Sequence, residues 1–331
     1  MEISKLDADI KKMKILITGA TGYIGGEMAR YLYSQGFDVV CMTRMGKKVN
    51  SLPVVEGDLL RPETLQKSCE NMDIVCHFAG AMGRGLKEET IISINVSGTE
   101  NMVHAAKDAG VKFFLHISSG AVVGPRGPAL ANEDTECHPY TIYERTKYEG
   151  EKLALRIAHN IGLPLCVVRP TFTYGPGDPH KLLMFKLIKK GLFFFIGDGS
   201  STNHPVYIDD LIDGIMLVLK ERPVQEVFII GGPRPVSKKE WAVSIAKALK
   251  VAPPRLYIPE GLAWMGANIM ETIGRVIGLE LPLTRSRVLA MSKYWGMDIS
   301  KARRELGYSP RVDLEEGISE TVAWYINEGL L

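Results

Sequence analysis

The chain has 331 residues, of which 46% are apolar and 24% are charged, and its formal net charge at neutral pH is +2. These values suit a soluble protein with one large α/β domain and a smaller appendage. The small net charge and the scattered Lys and Arg residues exclude a general electrostatic attraction to nucleic acid or to a membrane.

Cysteine and histidine usage argues against a disulfide framework and against a metal site. The chain has five cysteines, none of them in a C-x-x-C pair, and its seven histidines form no H-E-x-x-H motif. This predicts a reducing, cytoplasmic location and no bound metal.

Neither a secretory signal nor a membrane-spanning segment is expected. Residues 1–12 lack an apolar core and precede a second methionine, Met13, so we predict that they form a loose N-terminal extension. No apolar run in the chain approaches the ~20 residues that a spanning helix needs.

The first regular elements form a strand–turn–helix–strand unit. Residues 14–18 read as an apolar strand, a glycine-rich turn follows, the periodicity of 25–34 indicates a helix, and a second strand begins at Asp38. This unit is typical of parallel sheets.

The alternation of strands and helices continues as far as Pro170. Strands are predicted at 73–78, 112–118 and 165–169, and helices at 91–108 and 143–160. Because the strands are continuously apolar, we expect a sheet covered on both faces, that is, a Rossmann-type doubly wound α/β fold. We assign residues 13–170 to a dinucleotide-binding domain. Residues 171–331 are then a mixed region that adds a late strand near 225–230 and a smaller substrate-binding lobe.

The glycine-rich turn has the spacing G-x-x-G-x-x-G at Gly19, Gly22 and Gly25. Such a turn lets backbone N–H groups approach a pyrophosphate at the start of the following helix. Because it follows a strand and opens a helix, we predict a dinucleotide site rather than a plain tight turn.

The end of the second predicted strand bears on which nicotinamide cofactor is bound. An acidic residue there would bind a ribose 2′-hydroxyl, whereas a cation suits a 2′-phosphate. The chain reads Thr43-Arg44, with Lys47 and Lys48 close behind. We therefore favour NADP(H), with NAD(H) as the alternative. Three solvated surface cations without a role in binding would give the same sequence pattern.

Tyr143 and Lys147 lie one helical turn apart on the predicted helix 143–160. A free Tyr has a pKa of about 10, and a nearby ammonium is expected to lower it, so that the phenol can exchange a proton with an alcohol or carbonyl oxygen. The alternative is an ordinary pair of side chains on an amphipathic helix.

Ser119 follows the predicted strand 112–118, at the edge where ligands bind in open α/β sheets. Its hydroxyl could hold the reacting oxygen, or it could cap a turn, as serines often do.

Together these motifs resemble the extended short-chain dehydrogenase/reductase family, also called the NAD-dependent epimerase/dehydratase family. The resemblance covers nearly the whole chain and rests on TGATGYIGG at 18–26, GDL at 57–59, HFAG at 77–80, NVSGT at 95–99, ISSGAVVG at 117–124, YERTK at 143–147, RPTFTYGPGD at 169–178, VYIDD at 206–210 and DISKARRELGYSP at 298–310.

The resemblance implies a role for each matching residue. Tyr143 would be the general acid/base, Lys147 would bind the nicotinamide ribose, and Ser119 would orient the substrate oxygen. With Arg44, which is predicted from the strand end, the expected cofactor-binding residues are Gly19, Thr21, Gly22, Tyr23, Ile24, Gly25, Arg44, Asp58, Leu59, Ala79, Gly80, Asn95, Tyr143, Lys147, Pro170 and Thr171. The family also implies a homodimer formed through the helices near 91–108 and 143–160.

The substrate is less well defined. Sugar-nucleotide members of the family carry an Arg where this chain has Asn203, and a second Arg, before the D-x-S-K-A motif, is also absent. A diphosphate in a closed site needs such cations. The segment 262–277 is strongly apolar instead, which resembles the hydroxysteroid branch, although an amphipathic helix packed on its own domain would look the same.

Three functional interpretations follow. The favoured one is an NAD(P)-dependent alcohol dehydrogenase or ketone reductase, hydroxysteroid dehydrogenase-like or carbonyl reductase-like. The alternative is a nucleotide-sugar 4-epimerase or dehydratase with tightly bound NAD. A non-catalytic NADP-binding regulator is the third, and the intact Tyr143–Lys147 pair argues against it.

Overall fold

A computed structural model describes residues 9–49, 51–82, 85–277 and 283–331. Most of the predicted N-terminal extension, residues 1–8, lies outside the described residues. Ile10 is only 1% exposed and belongs to the main hydrophobic core, so the prediction of a loose extension is wrong at this residue.

The N-terminal half alternates strands and helices. Its elements are β1 (Lys14–Thr18), α1 (Tyr23–Ser34), β2 (Asp38–Thr43), β3 (Val54–Glu56), α2 (Pro62–Cys69), β4 (Ile74–His77), α3 (Glu88–Ile92), α4 (Gly98–Asp108), β5 (Phe113–Ile117), α5 (Ile142–Ile161) and β6 (Leu165–Pro170). The predicted strands and helices are therefore present, with ends that differ by a few residues.

The central sheet has seven parallel strands in the order β11-β6-β5-β4-β1-β2-β3, where β11 is Glu226–Ile230. Its inner strands are buried because helices cover both faces, and two hydrophobic clusters lie on opposite sides of the sheet. This confirms the predicted doubly wound fold. The strand order reverses between β1 and β4, where such sheets open a crevice at the carboxyl ends of their strands.

The predicted helix 91–108 is not continuous. A wide π-helical turn, Ser93–Ser97, separates α3 from α4. A π turn accommodates one additional residue and is frequent at functional sites. Here it contains Asn95, whose contacts are described below.

The C-terminal half contains short strands and several helices that the sequence analysis did not predict. Its elements are β7 (Phe172–Tyr174), α6 (Leu182–Lys189), β8 (Phe194–Ile196), β9 (Thr202–Asn203), β10 (Pro205–Tyr207), α7 (Ile208–Glu221), β11, β12 (Val236–Ser237), α8 (Lys238–Ala248), β13 (Leu256–Ile258), α9 (Glu260–Ile277), α10 (Arg285–Ser292), α11 (Ser300–Leu306) and α12 (Leu314–Asn327).

Two parts of this half differ in their packing. Helices α7, α8 and α12 bury apolar residues in the main core, and β11 is an edge strand of the central sheet. Helix α9 instead shares a small separate cluster with β8 and α10. The division of the chain at residue 170 stays a prediction.

Within the described ranges, no helix is both long enough and apolar enough to span a lipid bilayer. The same ranges contain no group of three or more His, Cys, Asp or Glu residues arranged to hold a metal ion.

Candidate active site

The glycine turn packs directly against the loop that follows β4. A Cβ atom on Gly19, whose φ is +73°, would lie 2.6 Å from the backbone nitrogen of Ala79. A Cβ atom on Gly25 would lie 2.5 Å from the carbonyl oxygen of Gly19. Because these contacts are with backbone, glycine is required at both positions, and the turn keeps its amides open at the start of α1.

Asn95 fixes the loop after β4 from the other side. Its side-chain Oδ1 accepts the Ala81 N–H at 2.7 Å, and its Nδ2 donates to the Ala81 carbonyl at 3.0 Å and to the Thr146 hydroxyl at 2.9 Å. Asn95 is 2% exposed. It therefore ties the cofactor-side loop to α5, the helix that carries Tyr143 and Lys147.

Helix α5 has clear start and stop signals. Thr141 and Glu144 form a capping box, and Gly162 ends the helix in the left-handed conformation. Tyr143 and Lys147 lie one turn apart near the start of the helix, and both line the same cavity. The predicted pair is thus brought together on one face.

The expected effect of Lys147 on Tyr143 is wrong in this structure. Burial raises the pKa of Tyr143, the hydrogen bond with Ser119 opposes that rise, and the charge of Glu144 adds to it. The Lys147 ammonium donates instead to the Ile117 carbonyl at 2.6 Å. Burial also lowers the pKa of Lys147 itself to about 8, against the attraction of Glu151. Tyr143 is therefore a protonated donor at neutral pH.

Ser119 caps a turn, which is one of the two roles predicted for it, and it lines the cavity together with Tyr143. Its hydroxyl accepts the Ala121 N–H at 3.2 Å and so caps the short turn after β5, and the Ser119 side chain is close enough to the Tyr143 phenol to lower its pKa. The cap fixes the position of the hydroxyl beside the phenol, so the two oxygens can meet one substrate oxygen.

Buried charged and aromatic groups support the sheet beneath the cavity. His77 and His116 stack at 5.5 Å, and burial holds both rings neutral: it lowers the pKa of His77 to about 3 and the pKa of His116 well below its usual range. His77 also hydrogen-bonds to the Thr18 hydroxyl at 2.9 Å. Arg169 of β6 and Glu151 of α5 form a fully buried ion pair.

A cavity of about 450 Å³ collects most of the predicted residues. Those that line it are Gly19, Gly22, Tyr23, Ile24, Gly25, Gly80, Ser119, Tyr143, Lys147, Pro170 and Thr171. Thr21, Arg44, Asp58, Leu59, Ala79 and Asn95 are not among its lining residues. Within this cavity the Ser118 and Thr171 hydroxyls are buried and have no partner among the described residues. A glycine turn and hydroxyls that still need hydrogen-bond partners, lining one cavity, fit a dinucleotide.

Three of the remaining predicted residues, Arg44, Asp58 and Leu59, lie just after the ends of β2 and β3. Arg44 directly follows β2 and is exposed, and the Thr43 hydroxyl donates to the Lys47 carbonyl at 2.9 Å, which closes the basic loop. The Leu59 carbonyl accepts from Asn101 at 2.9 Å, and the Asp58 carboxylate accepts the Leu60 N–H at 3.0 Å.

The sequence analysis missed the opposite wall of the cavity. It is formed by Met82, Phe172, Thr173, His180, Lys181, His204, Ala290, Trp295 and Met297, together with Asn203. Lys181 pairs with Asp178 at 3.3 Å and lies over the Phe172 ring at 4.5 Å. Of the wall residues, only Phe172 and Thr173 belong to a motif used above, and only Asn203 was named by itself. The others come from separate segments and carry no common local signal.

Comparison with known proteins agrees with this geometry. A family model described as the NAD dependent epimerase/dehydratase family matches residues 15–231. The chain is 27% identical to a 4-hydroxy-2-methyl-3-oxo-4-farnesyl-3,4-dihydroquinoline-1-oxide ketoreductase of Stigmatella aurantiaca, over 92% of the chain and 95% of the relative. It is also 27% identical to a 3-beta-hydroxysteroid dehydrogenase of Mycolicibacterium neoaurum, over 94% and 91%.

Two solved structures are similar over almost their whole length. The crystal structure of gox2253 superposes with a TM-score of 0.83 at 28% identity, covering 96% of this chain and 99% of that one. The UDP-glucuronic acid 4-epimerase of Bacillus cereus in complex with NAD gives a TM-score of 0.76 at 25% identity, with coverage of 96% and 99%.

Proposed function

Since this chain belongs to the NAD-dependent epimerase/dehydratase family, and is an NAD(P)-dependent enzyme, we propose that it transfers a hydride between a nicotinamide cofactor and a secondary alcohol or ketone. The observation that carries the proposal is the convergence of Ser119, Tyr143 and Lys147 on the cavity that the glycine turn also lines. This constellation has a proton donor, an oxygen-orienting hydroxyl and a cation at one place.

The cofactor would be held mainly by backbone and by a few side chains. The turn at Gly19, Thr21, Gly22, Tyr23, Ile24 and Gly25 would bind the pyrophosphate, and Asp58 and Leu59 would contact the adenine. Ala79 and Gly80, supported by Asn95, would line the middle of the site. Lys147 would bind the nicotinamide ribose, and Pro170 and Thr171 would contact the nicotinamide. The Thr171 hydroxyl is buried and has no hydrogen-bond partner in the part of the chain that the structure describes, which supports the last of these assignments.

When bound, the nicotinamide supplies or accepts the hydride. Ser119 holds the substrate oxygen, and Tyr143 gives that oxygen its proton during reduction or takes the proton during oxidation. Because the pKa of Tyr143 is raised, the phenol is protonated at neutral pH, which favours the role of acid in ketone reduction. Lys147 holds its positive charge beside this site up to a pH of about 8.

An apolar or mid-sized substrate fits the opposite wall best. Met82, Phe172 and Met297 supply apolar surface. The cation on that wall, Lys181, is already paired with Asp178, and Asn203 stands where a diphosphate-binding Arg would be needed. The ketoreductase and hydroxysteroid dehydrogenase relatives support the same class of substrate.

A nucleotide-sugar 4-epimerase or dehydratase is the second candidate, favoured by the similarity to the epimerase structure. The two activities differ in their redox balance. A reductase consumes NADPH or NADH in proportion to the product, whereas an epimerase retains its NAD and shows no net redox change. Measuring nicotinamide oxidation with apolar ketones and with UDP-sugars separates them.

Replacing Tyr143 by Phe tests the proposed reaction. We expect turnover to fall by at least about a thousandfold because the proton donor is lost, while cofactor affinity is unchanged. The matched control is Tyr140→Phe, three residues earlier and 43% exposed. Turnover within a few fold of wild type in Tyr143→Phe would exclude Tyr143 as the acid/base.

We also propose that NADP(H) is preferred over NAD(H). The support is the exposed Arg44 at the end of β2, with no carboxylate at that strand end. Arg44→Asp should weaken NADPH binding and leave NADH binding unchanged or improved. Arg304→Asp, an exposed cation on α11, is the control. An unchanged preference in Arg44→Asp would contradict the proposal.

We further propose that the enzyme is cytoplasmic. We also propose that it forms a homodimer through helices α4 and α5. Light scattering on the purified chain measures its mass in solution. A monomer at all concentrations would rule the dimer out.

A further inference from the structure

The Met297 side chain, on the opposite wall of the cavity, contacts the turn that carries Ser119. Gly120, the residue after Ser119, is buried. A Cβ atom on Gly120 would lie 2.8 Å from the Met297 Sδ atom and 2.9 Å from its Cε atom. The thioether end of Met297 therefore occupies the space that a side chain at position 120 would fill. Met297 and Ser119 also line the same cavity.

This contact lies beside a residue that we expect to meet the nicotinamide. The same Cβ atom on Gly120 would lie 3.1 Å from the Pro170 carbonyl oxygen. The turn after Ser119, the end of β6 and the Met297 thioether thus meet at one place. A substrate whose oxygen is held by Ser119 would have its carbonyl carbon close to that place.

Hydrogen bonds hold the backbone on both sides of Met297. The Ala131 N–H donates to the Gly296 carbonyl at 3.1 Å, and the Asp298 N–H donates to the Ala131 carbonyl at 2.7 Å. The Met297 N–H itself donates to Nδ1 of His204 at 3.4 Å. The segment that carries Met297 is therefore fixed to two other parts of the chain.

His204 can accept the Met297 N–H because its ring is neutral. Burial lowers the pKa of His204, and its Nε2–H donates to the Gly232 carbonyl at 2.9 Å, which leaves Nδ1 as an acceptor. Methionine side chains usually adapt to their surroundings. Met297 is only 4% exposed, however, and its thioether is confined by the contact with Gly120. It therefore has little freedom to move away from a bulky substrate.

From this arrangement we propose that Met297 is a specificity-determining residue, whose thioether limits the bulk that a substrate can carry next to its carbonyl carbon. The inference rests on the proposed function, since it requires a ketone or an alcohol to be held at Ser119. It narrows the substrate class to those with one small substituent beside the reacting carbon.

Two aryl ketones are the probes: acetophenone has a methyl group beside its carbonyl, and isobutyrophenone has an isopropyl group there. Titration calorimetry gives the dissociation constant of each from the full chain saturated with NADP⁺ or NAD⁺, whichever binds more tightly. The oxidised cofactor has no hydride to give, so binding is measured without reaction. We expect Met297→Ala to shift the ratio of the two constants at least about tenfold in favour of isobutyrophenone, because the Sδ and Cε atoms no longer fill the space.

A second truncation guards against a folding defect in Met297→Ala. If melting of that variant is not cooperative, Met297→Val, which also loses Sδ and Cε, should show a shift of about fivefold in the same direction. Met297→Leu has a side chain of similar volume and should keep the wild-type ratio within a few fold.

Met72→Ala is the matched control. Met72 is 7% exposed, packs in the hydrophobic cluster on the other side of the sheet, and is not among the residues that line the cavity. An unchanged ratio in the truncated variants, an equal shift in Met72→Ala, or no binding of either ketone overturns the proposal. Oxidation of NADPH or NADH by the same ketones is measured separately, so a shifted binding ratio without turnover counts against the proposed reaction alone.

Discussion

The two walls of the cavity are built in different ways. On the cofactor wall, backbone packs on backbone, as at Gly19 and Gly25, and the contacting loops follow β1 and β4, which are neighbours in the parallel sheet. On the opposite wall, side chains such as Phe172, Trp295 and Met297 come from segments far apart in the chain. On the cofactor wall, an added side-chain atom at Gly19 or Gly25 would clash with backbone. On the opposite wall, a single side chain can be replaced without moving the backbone.

We therefore expect the cofactor wall to determine cofactor binding and the opposite wall to determine which substrate is accepted. Substitutions on the cofactor wall should alter cofactor affinity or the stability of the sheet. Substitutions on the opposite wall should alter the KM of the substrate and leave the cofactor unaffected. The following four experiments test that separation.

The strongest effect is expected from Gly25→Ala. The added Cβ atom would lie 2.5 Å from the Gly19 carbonyl oxygen, so the turn must open. We expect NADPH affinity, measured by fluorescence titration, to fall at least about a thousandfold, or ~4 kcal/mol. Gly261→Ala on α9 is the control, because its Cβ atom would enter open space. Equal affinities in the two variants would show that the cofactor wall tolerates change after all.

Breaking the buried ion pair beneath the cofactor wall should cost about 3 kcal/mol of unfolding free energy. Glu151→Gln leaves Arg169 charged and almost fully buried, whereas Glu271→Gln in the C-terminal lobe breaks a partly exposed pair, which contributes about 1 kcal/mol at most. Urea denaturation measures both. A larger loss of unfolding free energy in Glu271→Gln than in Glu151→Gln would contradict this prediction.

Cofactor affinity should also depend on pH through Lys147. Its pKa is lowered to about 8, so its positive charge is present below pH 8 and is lost as the pH rises above that value. We expect NADPH affinity to fall by up to about tenfold per pH unit above 8, in titrations without substrate. Lys147→Arg keeps its charge and should show no such step. A wild-type affinity that is flat to pH 10 would contradict this role.

The smallest effect is expected on the opposite wall. The Trp295 indole Nε1 is buried, has no hydrogen-bond partner among the described residues, and belongs to a residue that lines the cavity. Trp295→Phe keeps the aromatic bulk and removes the donor. We expect the substrate KM to rise about fivefold, which corresponds to one hydrogen bond of ~1 kcal/mol, with no change in NADPH affinity. A change in NADPH affinity instead would link the two walls.

The sequence predicts the N-terminal half well because its signals are local. Strand β1 agrees with the predicted 14–18, since a buried parallel strand is a continuous apolar run between turn residues. Helix α7 and the strands β7 to β10 were missed. The strands have only two or three residues each, and their pairing is decided by distant partners rather than by their own sequence.

The same reasoning applies to the candidate site. The i, i+4 spacing correctly places Tyr143 and Lys147 on one face, but it carries no information about burial. Burial is what raises the pKa of Tyr143, and the Ile117 carbonyl is what holds the Lys147 ammonium. Both are tertiary contacts, so the spacing alone predicted a change in the wrong direction.

Because Ser93–Ser97 form a π-helical turn, the number of residues in this segment matters as well as their identity. Deleting one residue there would turn the wide turn into an ordinary α-helical turn, while the helical segments on either side would keep the faces that they present to their neighbours. Asn95 could then no longer reach Ala81 and Thr146 together. A deletion that shortens the chain by 0.3% would thus separate the loop of the cofactor wall from the helix of Tyr143, whereas most point substitutions on the surface of the same helix would be tolerated.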